Sequence, residues 1–419
     1  MAYMKDSTGR RLDSFQVQDR QGALARSLVR PMLSLPPVMG TPPTRTLNPA
    51  LGSHTSYTLA QSLAKVTVKG GLFSTYTANG YDSWRNTISP INGTLTQPAP
   101  SIVAFHYDGA TPDIKYRDTG GSNTSEFHIF VNEFDGLGEQ RATAFSEPTG
   151  ASALGGGAQV IRLTFATAKH RRIRVLMKNC EFAGVRGLPT DTFTPAPAEE
   201  PTIGLLLDSW GASRATPAGY TTPPVASTNT LWFMGALLAG LEPMLCAQSG
   251  TGLITPTTNP DLGVFADTRR INPLVTAGPD YILVTPSLND YVNSTPNPSA
   301  VAAALTSLCA TFATSLPNTK IIVAGPQSIG TAVGLKGDAD ADAIATRNAV
   351  KTAALAAPNV ISYIDPIAEG WITGGGDQKT PTGGGNSDKF RAGYHLTQDG
   401  DAALSQTRVL QALVQALRA

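Results

Sequence analysis

Two hydrophobic rhythms divide the chain. From about Tyr57 to Arg186 apolar and polar residues alternate. Lys65-Val-Thr-Val-Lys69 does so strictly, while Ser101–Tyr107, Glu126–Val131, Val160–Phe165 and Arg171–Met177 do so more loosely. Clusters of Gly, Asp and Asn, such as Asp108–Pro112 and Gly155–Gly157, separate these runs. A period of two residues puts alternate side chains on opposite faces of a strand. Short strands punctuated by turns, with no convincing helix, predict a β-sandwich of jelly-roll type.

Beyond Arg186 the rhythm changes. Pro189–Pro201 carries four prolines and reads as an extended linker. After it come continuous apolar runs at Ile203–Leu207, Pro243–Gln248, Tyr281–Thr285, Lys320–Ala324 and Val360–Ile364. Such runs mark strands buried on both faces. Between and after them the pattern predicts helices at Asn229–Ala239, Ala300–Leu316, Asp338–Ala356 and about Gln398–Arg418. In the first, Leu231, Met234, Leu237 and Leu238 share one face and Gly240 suits the C-terminal cap. Alternating strands and helices imply an α/β, doubly wound parallel sheet of five strands.

The expected domains are therefore an N-terminal extension (1–60), a β-sandwich (61–188), the Pro-rich linker (189–202) and an α/β domain (203–419). Met1–Arg30 is rich in charge and Gln, with a short helix predicted around Gly22–Leu28, and Pro31–Pro49 holds six prolines. Such a segment lies along another surface or assembles with copies of itself, which makes it an attachment or oligomerisation element.

Composition narrows the chemistry. Charged residues make up 15% and net to +1, so no electrostatic argument favours nucleic acid or an anionic membrane. No stretch approaches the apolar length of a membrane span. The polar N-terminus is unlike a signal peptide. Cys180, Cys246 and Cys309 lie far apart and read as small core residues. His106, His128 and His170 lack metal-site spacing and read as solvated or structural.

The polar residues that end the apolar runs are more informative. The first run ends at Asp208-Ser209, the second at Gln248-Ser-Gly-Thr-Gly252, the third at Ser287-Leu-Asn-Asp290. The fifth leads through a Gly-rich loop to Gly393-Tyr-His-Leu-Thr397. In a parallel sheet these sites share one edge, where ligands bind. A hydroxyl nucleophile needs a base, and His395 is the one histidine of the last 219 residues. Ser209 would then be the nucleophile and His395 its base. The Ser209 N–H, a glycine N–H of the second loop and the Asn289 amide would form an oxyanion hole. Taken singly, each residue is as readily a turn former, a helix cap or a surface histidine.

Together these blocks resemble the SGNH (GDSL-like) hydrolases. Leu207-Asp208-Ser209 is similar to the family's G-D-S, with Leu for Gly. Gly250 in Q-S-G-T-G matches the glycine of the second block. Ser287-Leu-Asn-Asp290 is similar to G-x-N-D, and Ala392-Gly-Tyr-His395 to D-x-x-H with Ala for Asp. The resemblance implies a flavodoxin-like sheet and oxyanion donors on Ser209, Gly250 and Asn289. The preceding sandwich and linker resemble the two-domain carbohydrate esterases of that superfamily. This implies removal of acyl groups, O-acetyl above all, from a carbohydrate, with an acylated glycan or small ester as partner and no metal or organic cofactor. The first fifteen residues resemble N-termini of phage tail-associated proteins. That implies an extracellular or virion-associated location and assembly through the N-terminal segment; a cytoplasmic location is the alternative.

Ala392 stands where the family has its acid. Three readings stay open: the Ala392 backbone carbonyl orients His395; Asp388 substitutes, with Asp399 and Asp365 behind it; or the domain only binds glycan or builds a virion. The loop Glu369–Asp388, with Trp371 and two Gly triplets, either shapes the pocket or is a plain surface loop.

Overall fold

The computed structural model describes residues 39–71, 73–78, 81–86, 100–118, 125–135, 139–147, 158–178, 180–196, 200–211, 230–256, 263–286, 289–292, 297–326, 341–373, 381, 384–392 and 395–418. The helix expected around Gly22–Leu28 and most of the N-terminal extension lie outside them.

Two antiparallel sheets form the N-terminal half. One runs Thr44–Leu47, Ala158–Thr164, Asp113–Asp118, Cys180–Gly187, Tyr81–Asn86, Phe73–Ala78, with Thr55–Ser56 beside Cys180–Gly187. The other runs Thr192–Pro195, Ser101–Gly109, Lys169–Lys178, Ser125–Asn132, Glu139–Glu147, with Thr67–Lys69 beside Ser101–Gly109. Alternation places Val103, Phe105 and Tyr107 of one sheet in a common core with Ile114, Tyr116 and Phe182 of the other.

Two of the expected boundaries move. Thr44–Leu47, expected in the extension, pairs with Leu47↔Ile161 through Thr44↔Thr164 and belongs to the sandwich. Thr192–Pro195, expected in the linker, pairs with Phe105–Asp108. Four-residue strands are too short to show a period, and Pro195 sits on an edge strand where its missing N–H breaks no ladder.

The C-terminal half holds the parallel strands Thr202–Leu207, Glu242–Ala247, Tyr281–Val284, Lys320–Ala324 and Val360–Ile364. Their order is second, first, third, fourth, fifth. The chain thus reverses its direction of winding between the first and third strands, and a crevice opens beyond their C-terminal ends. Apolar runs make these strands because both faces are covered. The helices Pro298–Ser315 and Ala341–Ala356 bury Val301, Leu305, Phe312 and Val350 in one core cluster with Leu206, Ile282 and Val323. By length and composition Pro298–Ser315 passes for a membrane span; here its buried stripe packs on the sheet.

Three helices differ from the pattern. Leu231, Met234, Leu237 and Leu238 are expected to form one buried face, but Leu231–Leu238 is apolar all round and all eight residues are buried. It is covered on several sides at once. The sandwich residues Ile102, Phe130 and Leu176 join its cluster, and so do Val409 and Leu413 of the chain's end. Thr268–Ala277 is an additional helix, interrupted in appearance by Pro273 but carrying Ile271, Leu274 and Val275 on one face, with Asp267 capping its first turn. The closing helix is broken by a π turn at Ser405–Val409 between Gln398–Leu404 and Leu410–Ala416.

The two halves also meet through charge. Lys69 of the sandwich lies 2.7 Å from Glu242, which is fully buried. The two charges are in direct contact inside the protein, away from water. Arg172 holds Glu200 at 2.9 Å beside it. Burial pushes the Glu242 carboxyl up to about 7, and Lys69 offsets only part of that. For Glu200, burial is outweighed by Arg174, Arg172 and Lys69, and its carboxyl lies below the usual range.

An acid raised in the folded state contributes stability that is complete below its unfolded value of 4.5 and is lost as pH rises through about 7. Glu200 has the opposite sign and loses its contribution on acidification. Relative to Glu242→Gln, wild-type unfolding free energy should therefore fall by up to about 3 kcal/mol between about pH 4.5 and 7.5, because each tenfold difference in proton affinity between folded and unfolded chain is worth ~1.4 kcal/mol. Urea unfolding across that range measures it, and a pH-independent difference would contradict it.

Candidate active site

The first parallel strand stops at Leu207 because the chain turns sharply there. The Asp208 carboxylate accepts the Trp210 N–H at 2.8 Å, and the Asp208 carbonyl accepts the Gly211 N–H at 3.1 Å. This turn lifts Ser209 onto the C-terminal edge of the sheet at the winding reversal. His395 Nε2 lies 2.8 Å from Ser209 Oγ.

His395 arrives from the far end of the chain on a two-stranded ribbon in which Arg391–Ala392 pairs with His395–Leu396. Thr397 then starts the last helix, its hydroxyl accepting the Gly400 N–H at 3.0 Å. Asp401 in that helix accepts the Leu231 N–H at 2.9 Å and caps the buried helix behind the sheet. The ribbon and the capped helix together fix where the imidazole stands.

The second loop turns at Gly250, whose φ of 74° suits glycine. Asn289 Nδ2 donates to the Thr251 carbonyl at 2.9 Å, so the third block is bound directly to this loop. Asp290, fully buried, accepts the N–H groups of Leu253, Ile254 and Thr255 at 2.8, 3.0 and 3.1 Å. Gly252 is required above it, since a Cβ there would collide with the Asp290 carboxylate. Burial pushes the Asp290 carboxyl up in spite of its donors. Among the described residues the N–H groups of Ser209 and Gly250 have no hydrogen-bond partner. An oxyanion beside Ser209 would find them uncommitted.

Beneath both loops lies Arg270, which no sequence pattern singles out. It donates to the carbonyls of Leu207 and Cys246 at 2.7 and 3.1 Å and to the Thr251 hydroxyl at 2.8 Å. Its helix does leave a signal, with Ile271, Leu274 and Val275 on one face between the caps Asp267 and Gly278, but nothing in that pattern gives the arginine a task. Asp290 has a signal, its place after Asn289, but the spacing alone gives it no task.

The other expected residues divide. Ala392 stands opposite His395 in the ribbon. Asp388 lies in the short helix Ser387–Phe390; its side chain and those of Ala392 and Asp399 lie outside the described residues. Asp365 is committed elsewhere, to Arg347 at 2.6 Å and Lys351 at 3.4 Å. Trp371 and Ile372 are core residues, with Trp371 packed on Trp232 at 5.6 Å, so the start of the Gly-rich loop is anchored rather than free. His106 Nδ1 lies 3.2 Å from His170 Nε2, and His170 Nδ1 lies 2.9 Å from Asp108, all on the sandwich. No group of three metal-ligating side chains occurs among the described residues. The three cysteines are buried and form no disulfide with one another.

No family model matches the chain. No curated protein is similar to it in sequence. Solved structures share its fold. A family two carbohydrate esterase from Clostridium thermocellum in complex with cellohexaose superposes with a TM-score of 0.55 at 12% identity, covering 84% of this chain and 98% of that one. An acetyl xylan esterase from Butyrivibrio proteoclasticus gives 0.52 at 13%, covering 88% and 98%. The salicylyl-acyltransferase SsfX3 of a tetracycline biosynthetic pathway gives 0.56 at 14%, covering 87% and 99%. The likeness spans both halves of the chain, and at these identities it shows the fold. Esterases and an acyltransferase share that fold, so function has to be argued from the site.

Asp290→Asn turns an NH2 group against one of the three backbone donors and leaves that donor unsatisfied. It should cost about 1–3 kcal/mol of stability by denaturant unfolding. An unchanged midpoint would show that the loop is held by other contacts.

Proposed function

We propose that the chain is a serine esterase that removes acyl groups, O-acetyl in particular, from a carbohydrate. The observation that carries this reading is the 2.8 Å contact between Ser209 Oγ and His395 Nε2, at a sheet edge where the Ser209 and Gly250 N–H groups are uncommitted.

The steps follow from those positions. Ser209 Oγ attacks the ester carbonyl carbon as its proton passes to His395 Nε2. The carbonyl oxygen becomes an oxyanion facing the Ser209 N–H, the Gly250 N–H and the Asn289 amide. Collapse expels the sugar alkoxide, which takes the proton from His395, and leaves an acyl-serine. Water, deprotonated by His395, attacks that ester and returns Ser209 and the free acid. Every bond made or broken between heavy atoms is acyl–oxygen, His395 carries the protons and returns the last one to Ser209, and no electrons change hands, so the reaction asks for no cofactor.

Sugar as the alcohol part is supported by the carbohydrate esterases among the structural neighbours. The described ion pairs with the sandwich lie at Glu242 and Glu200, at the start of the parallel strands and on the edge opposite Ser209. Glycan selection therefore falls to the loops around Ser209 in this reading.

The test is hydrolysis of 4-nitrophenyl acetate and of acetylated xylan. Wild type should release acetate, and Ser209→Ala and His395→Ala should each lower kcat by about four orders of magnitude or more. A wild type inactive on every acyl ester would favour a non-catalytic glycan-binding or virion component.

A further inference from the structure

We infer that Arg270 is a positioning residue of this site, one that aligns the oxyanion donors and keeps a positive charge behind them; the inference rests on the esterase reading. Arg270 is 3% exposed. Its guanidinium ties together three segments that carry site residues. The Leu207 carbonyl is two residues before Ser209, the Cys246 carbonyl lies at the end of the second strand, and the Thr251 hydroxyl is next to Gly250. Thr251 passes the connection on, since its hydroxyl donates to the Gln248 carbonyl at 2.8 Å and its own carbonyl accepts Asn289 Nδ2 at 2.9 Å. One side chain thus connects, directly or through Thr251, to all three proposed oxyanion donors.

The charge itself is the unusual part. Among the described residues no carboxylate forms an ion pair with Arg270, and its Nε has no hydrogen-bond partner. Its direct contacts are neutral oxygens, the Cys246 side chain, whose thiol burial keeps protonated, and the Phe265 ring, 4.5 Å from the guanidinium carbon. Asp208 and Asp267 act on it only through space. A buried cation without a contacting counter-ion is costly in the resting protein. Bridging three neutral oxygens does not by itself call for a full charge. The cost is offset when negative charge develops on the carbonyl oxygen in front of Ser209 and Gly250. The guanidinium also holds the two loops so that their N–H groups need not reorganise as that charge appears.

The experiment compares the full chain as wild type, Arg270→Lys, Arg270→Met and Thr251→Val, with kcat and KM for 4-nitrophenyl acetate and a thermal melt for each. Arg270→Met should lower kcat about a hundredfold with KM within about threefold, the size expected for losing an oxyanion contact. Arg270→Lys keeps the charge and should recover about a tenth of wild-type kcat or more. Thr251→Val leaves the charge in place but frees the loop, and should lower kcat about tenfold with little change in melting temperature. It decides the matter if Arg270→Met fails to fold. The inference is overturned if wild type is active while Arg270→Met equals Arg270→Lys, or while Thr251→Val keeps wild-type kcat. A wild type that hydrolyses no ester overturns the esterase reading, and this inference with it.

Discussion

Ser209 and His395 stand 186 residues apart in sequence and 2.8 Å apart in space. Only a fold that gathers distant strand ends on one edge can do this reliably. In a parallel sheet every strand points the same way, so Ser209, the Gly250 loop and Asn289 emerge on one side because Thr202–Leu207, Glu242–Ala247 and Tyr281–Val284 are neighbours. His395 is not on a strand of that sheet. It is brought there by the last helix, whose Asp401 caps the buried helix Leu231–Leu238. The site therefore depends on the docking of the chain's end as much as on the sheet.

Two buried charges hold the loop between second strand and third block. Asp290 gathers three consecutive N–H groups from above, and Arg270 takes the Thr251 hydroxyl and two strand-end carbonyls from below. The Gln248–Thr255 segment has no regular secondary structure to stiffen it. Ionic hydrogen bonds to its backbone do so instead, and they are stronger than neutral ones. The charges at the opposite edge of the sheet do a different job. Lys69 and Glu242 join the sandwich to the α/β domain at the cost of a desolvated carboxylate, while Ile102, Phe130 and Leu176 supply apolar contact.

Much of this is legible in the sequence. Continuous apolar runs locate all five parallel strands, and Lys320–Ala324 and Val360–Ile364 match to the residue. The polar residues after them locate Ser209, Gly250, Asn289 and His395. Legibility fails where periodicity carries no information. Thr44–Leu47 and Thr192–Pro195 are too short to show a period. Leu231–Leu238 is apolar on every side because three different elements cover it. Thr268–Ala277 escapes notice although Asp267, Ile271, Leu274, Val275 and Gly278 mark a capped amphipathic helix, because Pro273 within it reads as a helix breaker. A buried arginine bound to main-chain oxygens leaves no spacing to recognise; its partners are set by the tertiary fold alone.

The central claim is that Ser209 is a nucleophile activated by His395. Mass spectrometry of the intact chain and its peptides after treatment with a fluorophosphonate tests it most directly. The account predicts one adduct per chain, on the peptide containing Ser209, and no adduct in His395→Ala on the same time scale. An adduct on another serine, or an unmodified wild-type chain, would contradict it.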